Sequence, residues 1–234
     1  MTKSSEQSKM NPPSQIALLR LMHLVSPALP VGAYAYSQGQ EYAIDAQWLK
    51  SESEITDWIS GILIHSIGQL DIPCLQRFYL AWEHDDHEAV LYWNQFVIAS
   101  RETSELLLED LQLGAALQRL LIALEPDNKA LTLMSKPSFI SLFALAGVLW
   151  SIPLNELVRG FAWSWVENQV AAATKTVPLG QTQAQKILVS LMPVIEQSAH
   201  YGQTVPDEKI GSGLPAVAIA SSLHERQYSR LFRS

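Results

Sequence analysis

Apolar residues recur at helical spacing along almost the whole of this 234-residue chain, and that period limits the folds open to it. Ile55, Trp58, Ile59, Ile62, Leu63, Ile67 and Leu70 stand three and four apart, which lines them along one helix face. Ser51-Glu52-Ser53-Glu54 opens that run as a capping box, with hydroxyl and carboxylate each set to accept from a backbone donor of the first turn. Ile72, Leu75, Phe78, Tyr79 and Trp82 mark a second helix, with Asp71 as its expected cap and Pro73 in its first turn. Further helical patterns cover 87–100, 103–124, 138–150, 154–174, 180–200 and 214–227. No Asn-Gly or Asp-Gly hairpin and no sustained alternation occurs, so the expected fold is all-α, a single-domain bundle of about ten helices.

Three segments are expected: a polar, disordered leader over 1–13, an all-helical body over 14–201, and a linker with a C-terminal helix and tail over 202–234. "GQTVPDEKIGSG" reads as the linker, with glycines, a proline and charges but no apolar period. "SPALPVGAYAYSQGQE" is the sharpest interruption of the body, because Pro27 and Pro30 force the first helix to stop near Val25. Beyond that break, Ser37-Gln38-Gly39-Gln40 reads as a capping box that places Glu41 in a helix's first turn, facing outward, with Tyr34 and Tyr36 packed near the turn.

The chain has 16 basic and 23 acidic residues and a net charge of −7, which argues against unspecific binding to nucleic acid or an anionic membrane. A single cysteine, Cys74, precludes an internal disulfide, and the leader lacks an apolar signal core, so a reducing, cytoplasmic setting is expected. "FISLFALAGVLWSIPL" is too short for a membrane helix and reads as a buried one.

No placed triad, zinc-protease motif or phosphate-binding glycine pattern occurs, so neither catalytic residues nor a cofactor are expected. In "EHDDHE", His84 and His87 could share a metal, but Asp86 looks like an N-cap and a solvated turn accounts for the stretch; no metal ligand set is assigned. His23 and His65 read as core histidines, and "RETSELLLED" as a solvated amphipathic face. Lys175 falls in a helix's last turn, where a cation meets the final carbonyls. The end of the chain differs from the acidic body: Arg226, Arg230 and Arg233 alternate with Tyr228, Leu231 and Phe232, residue types that favour docking to a partner.

Five stretches, "LLRLMHLVSPALPVGAYAYSQGQEYAIDAQWL", "DIPCLQRFY", "SRETSELLLED", "GFAWSWVENQVAAATKTVPLGQTQAQKIL" and "GSGLPAVAIASSLHERQYSRLFRS", resemble the urease accessory protein family UreF. The resemblance implies a non-catalytic, dimer-forming helical scaffold that joins UreD (also called UreH) and the GTPase UreG to apo-urease (UreABC) for nickel insertion. It implies a UreG-facing surface containing Glu41, Asp71 and Lys175. It also implies a UreD-facing tail with Tyr228, Arg230, Leu231, Phe232, Arg233 and Ser234. Two alternatives stand beside scaffolding: a GTPase-activating role through an inserted Arg230, and direct nickel binding by His84 and His87. If Glu41 and Lys175 are surface sites, either change to Ala leaves stability within about 0.5 kcal/mol.

Overall fold

The computed structural model describes residues 15–211 and 213–234, so the leader expected over 1–13 lies outside the described residues. The helices are α1 (Gln15–Leu24), α2 (Gln40–Asp45), α3 (Glu52–Ile62), α4 (Ile72–Glu83), α5 (His87–Ala99), α6 (Ser104–Leu124), α7 (Phe139–Leu149), α8 (Leu154–Thr176), α9 (Gln181–Gly202) and α10 (Pro215–His224). No strand occurs among the described residues. The all-α expectation holds, and α1 stops at Leu24, just ahead of Pro27.

Side-chain caps mark the starts of α3, α5, α6 and α7. At α3 the Ser51 hydroxyl accepts from Glu54 N at 3.2 Å, while the Glu54 carboxylate accepts from Ser51 N at 3.0 Å, completing the box. Asp86 caps α5 through Ala89 N, and Thr103 caps α6 through Leu106 N. Helix α7 lies at the centre, with Ile140, Leu142, Phe143, Ala144, Leu145 and Ala146 all buried. It packs against α4 on one side and α6 on another, and α8 pairs with α9. Phe143 meets Phe161 of α8 edge-on at 5.4 Å between ring centres, and Trp82 of α4 donates its indole N–H to Ser141 O.

Asp71 does not cap a helix. Residues Leu63–Asp71 form a π-helix that joins α3 to α4 without a break, and Asp71 itself has helical backbone angles. Glycines let α9 approach this widened turn: a Cβ on Gly202 would lie 2.5 Å from Ile72 Cγ2 and 2.9 Å from Gly68 O. The expected linker is likewise fastened to the body. Val205 and Ile210 are buried, Arg77 donates to the Asp207 carboxylate and to Val205 O, and Gly211 N donates to Gln69 O at 3.1 Å.

His23 and His65 are exposed, contrary to the core reading. Both helices present an outer face at those positions, and α1 also exposes Ile16, Leu18, Leu19 and Met22. The α6 stretch departs further from expectation, because Glu105, Glu109 and Asp110 point inward.

Helix α6 crosses the start of α7 closely enough that a Cβ on Gly114 would sit 2.1 Å from Pro137 O. Alanine gains about 1 kcal/mol of helix propensity over glycine, but the clash is with backbone and costs about 1–3 kcal/mol. Gly114→Ala is expected to lower the urea midpoint; an unchanged or raised midpoint means residues 137–138 give way freely.

Candidate functional site

The chain turns at Pro27 and Pro30, passes Gly32 and reaches α2 through Gly39, whose φ of +78° is the left-handed conformation glycine tolerates. A side chain there would also strike α10, since a Cβ would lie 2.7 Å from Ser221 N. Gly39, not Ser37, is therefore the residue before the first helical turn. The box expected at Ser37 does not form: Gln40 donates to Gln169 O, and Ser37 N donates instead to Ser234 O at 2.7 Å. The Ser37 hydroxyl donates to the same oxygen and accepts from Glu41 N.

Glu41 is thereby fixed in the first turn of α2, but it faces inward and is 6% exposed. Its Oε1 accepts from Leu231 N at 2.7 Å, and its Oε2 accepts from Phe232 N at 3.0 Å and lies 3.1 Å from His224 Nε2. The other His224 nitrogen lies 2.8 Å from Glu105 Oε2, and Glu105 Oε1 accepts from Arg230 at 2.8 Å. The chain's last residues continue this pattern: Arg233 N donates to Ala35 O, and the Ser234 hydroxyl donates to Glu109 Oε2 at 2.9 Å. Glu109 also accepts from Gln38, which in turn accepts from the Trp165 indole. Burial pushes the Glu109 carboxyl up to about 7, and the hydrogen bonds from Gln38 and Ser234 pull the other way.

The expected tail is therefore folded onto the body. Phe232 and Ser234 are buried, whereas Tyr228 is fully exposed and Leu231 is 71% exposed. Tyr36 is buried and Tyr34 is not. Lys175, exposed at the end of α8, places its ammonium 5.4 Å from the centre of the Phe232 ring and 5.7 Å from that of Tyr34.

Asp71 belongs to a second centre. Arg101 donates to Asp71 Oδ1 at 2.9 Å and to Asp110 Oδ2 at 3.1 Å, and Asp110 Oδ1 accepts from Phe139 N at the start of α7. Burial opposes the Arg101 charge, but the two carboxylates more than reverse this and hold the guanidinium protonated. Burial raises the Asp71 carboxyl above its usual range against the pull of Arg101. Among the described residues, Asp71 Oδ2 is buried without a hydrogen-bond partner. A cavity of about 780 Å³ joins the two centres, with Asp71, Arg101, Glu109, Asp110 and Trp165 among its walls.

Glu41 and Asp71 thus correct the expectation of charges presented outward at helix tips: each is held inside by cationic or amide donors that a solvated carboxylate would not need. Glu41, Lys175 and the tail are brought together, and Asp71 stands apart from them, paired with Arg101. His84 and His87 do not meet. His84 Nδ1 lies 2.7 Å from Leu80 O, and the His87 ring stands against Trp82. Among the described residues, no group of three or more His, Cys, Asp or Glu side chains is placed to hold a metal ion.

Sequence reasoning missed Ser37, Arg101, Glu105, Glu109 and His224 as members of these centres. One signal was available. Glu105, Glu109, Leu113, Leu117 and Leu121 are spaced four apart, so both carboxylates continue the buried leucine stripe of α6.

Comparison with known proteins connects this architecture to a family. The UreF family model matches residues 49–192. A urease accessory protein UreF from Teredinibacter turnerae is 59% identical over 217 residues, covering 93% of this chain and 98% of that protein. The chain belongs to the UreF family of urease accessory proteins. Proteins of the same name from Alkalilimnicola ehrlichii and a Marinomonas species are each 48% identical over 221 residues, covering 94% of this chain and 96% of theirs. These alignments extend beyond the span of the family model.

Glu41→Ala would strand two backbone amides and a buried imidazole. This is expected to cost about 2–4 kcal/mol in urea unfolding and to expose the amides of Leu231 and Phe232 to exchange. Lys175→Ala, which removes only contacts over two rings, is expected to cost under about 1 kcal/mol. Equal and negligible effects would restore the surface reading of Glu41.

Proposed function

We propose that this chain is a non-catalytic, cytoplasmic scaffold of urease maturation. It joins UreD (UreH) and the GTPase UreG to apo-urease (UreABC), working as a homodimer while nickel is inserted into the urease active site. The name shared by its relatives, urease accessory protein, supports the setting. The observation that carries the scaffold reading is the form of the tail. Residues 230–234 are held by many hydrogen bonds, yet Tyr228 and Leu231 are left in water. Aromatic and aliphatic side chains on a rigid, arginine-bearing support are the composition of a docking patch, here assigned to UreD.

The UreG-facing role is assigned to the surface around Lys175 and Tyr34, which lies directly over Phe232. Glu41 serves it from beneath by fixing the tail, and Asp71 by fixing Arg101 and α6. This arrangement favours assembly over an inserted arginine, because Arg230 is engaged with Glu105.

Co-expression with UreD and UreG tests the reading. Tyr228→Ala and Leu231→Asp are expected to reduce UreD capture about tenfold or more with melting temperature unchanged, since both side chains are exposed. Lys175→Ala is expected to reduce UreG capture and leave UreD bound. Undiminished capture by all three variants would remove the docking assignment.

A further inference from the structure

The end of the chain reverses the charge of the body. A protein with 16 basic and 23 acidic residues carries Arg226, Arg230 and Arg233 over 226–234 and no Asp or Glu there. All three arginines are exposed. Among the described residues only Arg230 of the three has a carboxylate partner, giving Nη1 to Glu105 Oε1 at 2.8 Å. The Arg233 guanidinium meets neutral groups instead, 3.5 Å from Gln112 Oε1 and beside the Tyr36 phenol. A contact that long is weak, so most of its donor capacity stays open.

Arg230 and Arg233 border a groove of about 500 Å³ between the tail and α6, whose walls also include Leu108 and Gln112 of α6 and Leu231 of the tail. Both leucines stand in water, Leu108 53% and Leu231 71% exposed. Glu105, the acidic residue among the walls, is already committed: Oε1 accepts from Arg230 and Oε2 lies 2.8 Å from His224. The groove therefore offers apolar surface and an uncommitted cation. Its tail side is fixed in place, because the amides of Leu231, Phe232 and Arg233 each meet an acceptor on the body. A partner meeting it loses little to ordering it.

We infer that this groove receives an acidic segment of UreD, with an apolar side chain between Leu108 and Leu231 and a carboxylate on Arg233. The inference rests on the docking role proposed above and extends that surface from the tail onto α6. A planar guanidinium pairs with a carboxylate through two parallel hydrogen bonds. A basic partner surface would be repelled by Arg226 and Arg233, and a neutral one would take their charge out of water without compensation. The leucines select a protein segment over a free anion, since a small anion gains nothing from covering apolar surface. A nucleic-acid backbone is disfavoured because the rest of the chain, with a net charge of −7, repels it.

Capture of co-expressed UreD by the full-length chain tests the inference. Arg233→Glu is expected to reduce capture at least about tenfold, and Leu108→Ser at least about threefold. Both leave the melting temperature unchanged, because both side chains are exposed. Capture by the unsubstituted chain is expected to fall between about 0.1 and 0.5 M NaCl, and Arg233→Gln to flatten that dependence. When each Asp and Glu of UreD is changed singly to Arg, at least one such UreD is expected to be captured better by the Arg233→Glu chain than by the unsubstituted chain. Capture undiminished by Arg233→Glu overturns the inference, as does a loss that no UreD reversal recovers. If Tyr228→Ala and Leu231→Asp weaken capture while Arg233→Glu and Leu108→Ser do not, the docking role stands and the groove is not its acidic receptor. If none of the four weakens capture, the docking role falls as well.

Discussion

The Glu41 carboxylate meets two backbone donors of the tail and the buried His224 imidazole of α10, and the position of the tail follows from that convergence. Two donors are consecutive backbone amides, which the tail, lying outside regular structure, would otherwise have to satisfy with water or leave unpaired. An unpaired buried amide costs about 1–3 kcal/mol, so displacing the carboxylate while the tail stays closed is unfavourable more than once. Glu41 can occupy this place because Gly39 lets α2 begin within contact of α10. The Pro27–Pro30 break is what turns the chain toward that approach.

The second centre shows the same economy in a different form. Arg101 spans the π-helical turn and α6, and through Asp110 it reaches Phe139 N, the first backbone donor of α7. Charge burial of this kind is weak as a source of net stability, because desolvating three ions offsets much of their attraction. Its effect is on register: one guanidinium with fixed donor directions sets α6 relative to two other helices. α6 also carries Glu105 and Glu109, so the register set at Arg101 determines where the tail's acceptors stand.

The helices were legible in the sequence because burial of apolar residues repeats with the helical period. Ser51 and Glu54 show that local cap chemistry can be read in full when all its partners lie within one turn. Ser37 shows the limit. Its sequence neighbours match a capping box, but a partner 197 residues away takes its hydroxyl. Asp71 fails for a related reason: Pro73 suggests a helix start, yet a π-helical turn carries the chain straight through it. The site residues followed the same division. Resemblance put Glu41, Asp71 and Lys175 on one surface and the tail on another, whereas Glu41, Lys175 and the tail lie together because α10 packs against α2, which no local spacing encodes.

A tail held by charge differs from one held by apolar burial in what it can be made to do. Burying the Phe232 ring contributes about 1.5–3 kcal/mol, but a single apolar contact would tolerate slippage by a residue. The amides of Leu231, Phe232 and Arg233 each meet a fixed acceptor, so a slipped tail would lose all three bonds together. The same contacts leave Tyr228 and the outer face of Leu231 in water, because a strand of tail whose backbone and alternate side chain are engaged must turn its remaining side chains away. The exposed patch is therefore a consequence of how the tail is fastened, and loosening the fastening would change the shape of the patch without altering one of its own residues.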